Sequence, residues 1–172
     1  MKRQLLVVDD ETPILDSLQR SLGGPRSAWQ VTCVDRASAA LGLLTEDRFD
    51  AVVTDIRMPG MTGLELLAEI RRSQQTRDTP VVVLTGLADH GLKQRALESG
   101  ASDLLGKPVD AGLLVARLEN VLAMKAEHDR LAALVAGLEA TIRQKDSGLR
   151  QWRWDVLRCL GNVAEYRDGE EP

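Results

Sequence analysis

No apolar run in the 172-residue chain approaches the roughly 20 residues that a bilayer-crossing helix needs. The opening MKRQLLVVDDE turns acidic too early for a secretory signal. These absences predict a cytoplasmic protein with no membrane partner. Basic charge is lacking too: a net charge of -4 leaves no electrostatic footprint for DNA or RNA. Cysteines number two, Cys33 and Cys159, with none of the paired spacing that zinc or a disulfide framework requires. They read as small buried side chains in a reducing compartment. The two histidines, His90 and His128, are too few for the histidine-aspartate metal centre of a hydrolase, so the residues present are not expected to form such an enzyme. What is there, 44% hydrophobic and 28% charged residues, is ordinary for a globular protein, and the length suits one well-buried core with an extension.

Short apolar runs alternate with longer amphipathic stretches, the pattern of repeated βα units and a parallel sheet. The runs are Gln4 to Val8, Gln30 to Val34, Ala51 to Thr54, Val81 to Leu84 and Ser102 to Leu105, several of them β-branched and apolar enough for burial on both faces. Between them Pro13 to Leu22, Ser38 to Thr45, Gly63 to Arg72, His90 to Ser99 and Asp110 to Leu122 carry apolar residues three and four apart, as helices do. Gly23-Gly24-Pro25 is expected to close the first helix, Gly100 the fourth, and Asp110 to cap the fifth.

A second unit is expected over 123–172, after a first over 1–122. Glycine and proline thin out and apolar residues fall into heptads. The seam links Val121, Met124, His128, Leu131, Val135, Leu138, Ile142, Lys145, Leu149, Trp152, Val156, Cys159 and Val163. β-Branched residues dominate the a positions and Leu131 and Leu138 sit at d, the preference of parallel dimers, so a parallel homodimeric coiled coil about 65 Å long is expected at 1.5 Å per residue. His128 and Lys145 on the seam read as register-setting polar residues, and Trp152 as packing; Trp154 adds a candidate partner surface.

In an open parallel sheet, ligands bind outside the carboxyl ends of the strands. There stand Asp9 and Asp10 after the first run, Asp55 after the third, Thr85 after the fourth and Lys107 with Pro108 after the fifth. Three carboxylates in one crevice repel one another unless a hard cation joins them, and oxygen-only ligands suit Mg²⁺. A lysine and a hydroxyl beside them complete a site for a phosphoryl group, with one carboxylate as nucleophile. Pro59, Gly60 and Gly63 read first as turn-shaping residues.

The ordered motifs VVDDE, VVTDIRMPGMTGLELL, VVVLTG and GASDLLGKP closely resemble the response-regulator receiver domains of two-component signalling, over roughly residues 3 to 123. The resemblance implies a flavodoxin-like α/β fold, a five-stranded parallel sheet of order 2-1-3-4-5 with helices on both faces. It implies that Asp55 is the phosphoacceptor, that Asp10 and Asp55 bind Mg²⁺ directly with Asp9 acting through water, and that Arg57 adds a backbone carbonyl. It assigns Lys107, Thr85 and Gly86 to the phosphoryl group, makes Thr85 the switch residue and makes the bond before Pro108 cis. Asp55 would attack the phosphorus of a sensor kinase's phosphohistidine or of a small phosphodonor. Receivers usually carry an aromatic switch residue three places before the lysine; here that place holds Leu104. Any rearrangement at that face then runs through backbone shifts and a smaller side chain.

The pair His128-Asp129 is similar to the histidine-acid pair of phosphotransfer helices, but its seam position favours a structural role. At the far end DVLRCLGNVAEYRDGE resembles the opening of HD-GYP cyclic-dinucleotide phosphodiesterase domains. That resemblance implies a receiver whose coil controls an output module; the alternative is a stand-alone, phosphorylation-controlled interaction dimer.

Overall fold

The computed structural model describes the backbone of residues 2–86 and 90–168, and the side chains of residues 2–86, 91–143 and 145. The elements alternate without exception: β1 (Arg3–Val8), α1 (Thr12–Leu22), β2 (Trp29–Val34), α2 (Ala37–Glu46), β3 (Ala51–Asp55), α3 (Gly63–Arg72), β4 (Val81–Thr85), α4 (His90–Glu98), β5 (Asp103–Gly106) and α5 (Ala111–Asp168). All strands pair in parallel in the order β2-β1-β3-β4-β5.

Side-chain alternation along the strands builds two cores. Leu5, Val7, Val53, Val82, Leu84 and Leu105 point to one face, under Leu15 and Leu18 of α1 and Leu114 and Leu118 of α5. Leu6, Val8, Val52, Val81 and Val83 point to the other, under Ala40 of α2, Leu66, Leu67 and Ile70 of α3 and Ala96 of α4. β3 and β4 are buried along their whole length, which explains why their sequences read as unbroken apolar runs.

The strands differ from the sequence expectation by a residue at their ends, because pairing continues past the apolar stretch. β3 takes in Asp55 and β4 takes in Thr85, with Thr85 in register with Gly106 of β5, which itself starts at Asp103 rather than Ser102. The backbone N–H of Gly23 closes α1 on Gln19, Gly100 adopts φ 91° after α4, and Asp110 Oδ1 accepts the Leu113 N–H at 2.7 Å, capping α5. α3 is started by a reciprocal capping box that sequence reading missed: Glu65 N–H donates to Thr62 Oγ1 at 3.3 Å while Thr62 N–H donates to Glu65 Oε2 at 2.8 Å.

Two expectations are corrected. Cys33 is half-buried rather than fully buried, since it lies on the edge strand β2, and burial with the nearby Asp16 carboxylate raises its thiol pKa. Val121 does not open an exposed seam: it is buried with Leu114 and Leu118 in the receiver core, because spacings of four and three put the three on one sheet-facing stripe of α5. Two compact units result, 1–125 and 126–172. In the second unit Leu131, Val135, Leu138 and Ile142 are exposed, as are the polar seam residues His128 and Lys145. Leu149, Trp152, Trp154, Val156, Cys159, Val163 and the HD-GYP-like stretch lie outside the described side chains. No described helix is long and apolar enough to cross a membrane.

Two loops depend on single residues. Arg71, at the end of α3, donates from Nε and Nη2 to Gly100 O at 3.0 and 2.8 Å and from Nη1 to Arg77 O and Thr79 O at 3.0 and 2.8 Å. One planar guanidinium thus ties the loop before β4 to the loop before β5, a geometry a lysine cannot copy. Arg71→Ala is expected to lower unfolding free energy by about 2–3 kcal/mol, and Arg71→Lys by nearly as much. Urea midpoints within a tenth of wild type for both variants would refute this role. Gly63 is fixed by proximity: its N–H donates to Ile56 O at 2.9 Å, and a Cβ on it would lie 1.9 Å from the Asp55 carbonyl oxygen. Gly63→Ala must displace the end of β3, costing about 1–3 kcal/mol, and a melting curve matching wild type would show that the turn yields instead.

Candidate functional site

The strand order brings the carboxyl ends of β1, β3, β4 and β5 to one crevice, where the chain turns into its helices. At its centre is Lys107, just past β5. Its Nζ lies 2.9 Å from Asp9 Oδ2, 2.9 Å from Glu11 Oε1 and 3.1 Å from Asp55 Oδ1. A backbone bond fixes it there, Lys107 N–H donating to Thr85 O at 2.8 Å. The Lys107–Pro108 peptide is cis.

Asp9 is fully buried, with Oδ1 accepting the Glu11 N–H at 2.9 Å. Its Oδ2 has no hydrogen-bond partner, only the ion contact to Lys107. Burial raises the Asp9 pKa and the repulsion of Asp55 adds to it, while the ammonium and the Glu11 N–H pull it down. Burial alone would lower the Lys107 pKa; its three carboxylate partners reverse the sign and hold it above the ordinary lysine value. Asp55 is 7% exposed and its Oδ2 accepts the Arg57 N–H at 3.0 Å. That bond and the Gly63 contact fix the carboxylate and the carbonyl of Asp55 independently.

The remaining predicted residues take varied places. Asp10 is exposed at the end of β1, and Thr85, 1% exposed, donates its hydroxyl to Gly86 O at 2.9 Å. Leu104 is half-buried against the core under α3 and α4. Gly60 takes φ 78° in the turn after Asp55, as a turn-shaping glycine does. Glu11 was missed by sequence reading, although it directly follows Asp9 and Asp10. A run of three acids at a strand end was the available signal.

Among the described residues, no group of three or more His, Cys, Asp or Glu is arranged to hold a metal ion. The donor set still fits a hard cation in its chemistry: the buried Asp9 Oδ2 has no hydrogen-bond partner beyond its ion contact to Lys107, an ammonium it shares with Asp55 Oδ1. Chemically the arrangement offers a fixed carboxylate nucleophile, an adjoining cation and a buried hydroxyl, as phosphoryl transfer requires.

Residues 5–119 match the response regulator receiver domain family. The chain is 29% identical over 165 residues to the cyclic di-GMP phosphodiesterase response regulator RpfG of Xanthomonas campestris pv. campestris, a match covering 96% of this chain and 44% of RpfG. It is 36% identical over 155 residues to the transcriptional regulatory protein FixJ of Bradyrhizobium diazoefficiens, covering 86% of this chain and 74% of FixJ. The solved signal receiver domain of an HD domain-containing protein from Pseudomonas fluorescens Pf-5 is similar at a TM-score of 0.67 and 28% identity, covering 75% of this chain and 93% of that one. The chain thus spans less than half the length of RpfG. The site at Asp55 and Lys107 therefore stands in a chain that belongs to the response-regulator receiver family, and the protein is a two-component response regulator.

Proposed function

We propose that Asp55 is the phosphoacceptor of this receiver, that a sensor histidine kinase or a small phosphodonor supplies the phosphoryl group, and that the unit beyond residue 125 couples the outcome to a second copy of the chain. The observation that carries the reading is the approach of Lys107 Nζ to Asp55 Oδ1 at 3.1 Å in a crevice where Asp9 is fully buried. An Asp55 oxygen attacks phosphorus and the bond to the donor breaks: the imidazole nitrogen of a phosphohistidine takes up a proton as it leaves, whereas an acyl phosphate releases its carboxylate anion, which needs none. Lys107 offsets the charge on the phosphoryl oxygens, and the Arg57 N–H keeps the carboxylate aimed. Thr85 leaves Gly86 O and donates to the phosphoryl group. Hydrolysis of the acyl phosphate returns the carboxylate and inorganic phosphate. Asp9, Asp10, Asp55 and the Arg57 carbonyl are the residues to hold Mg²⁺, which when bound supplies further charge neutralisation. The protein acts in the cytoplasm on this reading.

Radiolabelled acetyl phosphate tests the site. Wild type is expected to take up label, Asp55→Asn none, chelation by EDTA is expected to abolish uptake, and Lys107→Met to slow it on the order of a hundredfold. Equal labelling of Asp55→Asn would move the acceptor elsewhere.

The second unit exposes a row of large apolar side chains: Leu131 at 52%, Leu134 at 56%, Val135 at 54%, Leu138 at 65% and Ile142 at 64%. Such a row at heptad spacing is covered when two helices wind together, so the seam from Met124 through His128 to Lys145 is read as a parallel homodimer contact. The phosphodiesterase naming of RpfG and the HD domain of the Pseudomonas fluorescens protein favour a cyclic di-GMP phosphodiesterase as the output that this dimer regulates. Light scattering is expected to give a dimer mass for wild type and a monomer mass for Leu131→Lys/Leu138→Lys, whose receiver melts as before. A monomeric wild type would end the coiled-coil proposal.

A further inference from the structure

We propose that Glu11 is a positioning residue of the unphosphorylated receiver, the exchangeable partner that Lys107 gives up when a phosphoryl group arrives. The inference rests on the reading of Asp55 as acceptor. Lys107 Nζ stands within 3.1 Å of three carboxylates. Lys107 Nζ donates to Glu11 Oε1 at 2.9 Å and lies as close, at 2.9 and 3.1 Å, to Asp9 Oδ2 and Asp55 Oδ1. The ammonium is thus shared among three carboxylates, of which Glu11 is the solvent-facing one.

The three partners differ in what their release costs. Asp9 has no exposed surface, and its Oδ2 has no other partner, so losing Lys107 would strand a buried charge. Asp55 is 10% exposed in its side chain and is itself the group that carries the phosphoryl oxygens. Glu11 is 59% exposed, so water replaces the ammonium at little expense. A phosphoryl oxygen bound at Asp55 therefore draws Lys107 from Glu11 first. The pairing spans 96 residues, from the start of α1 to the end of β5, so the exchange also unties one link between those two elements.

Glu11 then competes with the phosphoryl group twice, by holding the lysine and by its own negative charge. Removing it should strengthen binding of a phosphoryl mimic. The change expected from an exposed ion pair is up to about fivefold in a binding constant. Glu11 supplies only its backbone to the start of α1, with no side-chain capping bond, so Glu11→Gln is not expected to disturb the fold.

Binding of beryllofluoride at saturating Mg²⁺ tests this, measured by calorimetry on the full chain. Glu11→Gln is expected to bind two- to fivefold more tightly than wild type, and Glu11→Asp, which keeps the charge but shortens the reach to Lys107, should fall between them (on the order of the exposed-pair range). Equal or weaker binding by Glu11→Gln overturns the inference. Titration of Mg²⁺ alone separates a second role: an affinity for Glu11→Gln within about twofold of wild type supports the exchange, since an exposed contact contributes little, whereas a loss of tenfold or more assigns Glu11 to the cation and overturns it. Absence of beryllofluoride binding by wild type, matched by Asp55→Asn, would instead defeat the reading of Asp55 as acceptor.

Discussion

A lysine ammonium that is 18% exposed, set among three carboxylates, is the constraint on which the receiver depends. Asp9, just past β1, and Asp55, at the end of neighbouring β3, are buried acids, and neither is tolerable there without a counter-charge. Lys107 supplies it from the far edge of the sheet, with β4 lying between β3 and β5. The contact closes only if all four strands keep parallel register, so the electrostatics of the crevice and the topology of the sheet specify one another. The same ammonium that offsets the buried Asp9 thus also lies against Asp55, whose carboxylate the Arg57 N–H holds in place.

Backbone geometry does the rest of the aiming. The chain leaves β3 through Ile56, turns at Gly60 and returns so closely that Gly63 N–H meets Ile56 O and the Gly63 Cα stands against the Asp55 carbonyl. The capping box of Thr62 and Glu65 starts α3 at that point, so the helix begins where the acceptor strand ends. On the other side, Arg71 fastens the two loops that lead into β4 and β5, the strands that present Thr85 and Lys107. Local caps and one guanidinium thereby transmit the rigidity of the sheet to side chains that lie just beyond it.

Much of this was legible in the sequence, and the reason is periodicity. Runs of β-branched residues marked the strands, and the residues that follow them are placed by topology at one edge, so Asp9, Asp55, Thr85 and Lys107 stood out together. Glu11 did not, because its partner is 96 residues away and a third acid in DDE looks like a solvated helix start. Gly63 was read as a turn former, since sequence shows that a glycine is present but not which carbonyl passes beside it. Val121 was misplaced because core stripe and coiled-coil seam share the same spacing of three and four. Strand ends slipped by one residue where polar Asp55 and Thr85 continue the pairing after the apolar signal has stopped.

That shared spacing on α5 also decides what lies against β5. Leu114, Leu118 and Val121 bury one stripe of the helix in the receiver core, in the same apolar cluster as Leu105 of β5. Leu104, the next residue back, points to the opposite core with Leu92 and Ala96. Two residues past Leu105 comes Lys107, so a displacement of its ammonium would act on β5 directly. With a leucine where an aromatic ring would swing, little side-chain area near Leu104 is available to report that displacement. Densely packed interiors do not absorb strain, so movement of β5 passes through Leu105 to the stripe of α5. Helices draw most of their stability from packing, and the start of α5 finds it in the receiver core, whereas Leu131 to Ile142 are exposed. Any displacement at Lys107 therefore meets α5 through Leu105 of β5, and not through an aromatic ring at position 104.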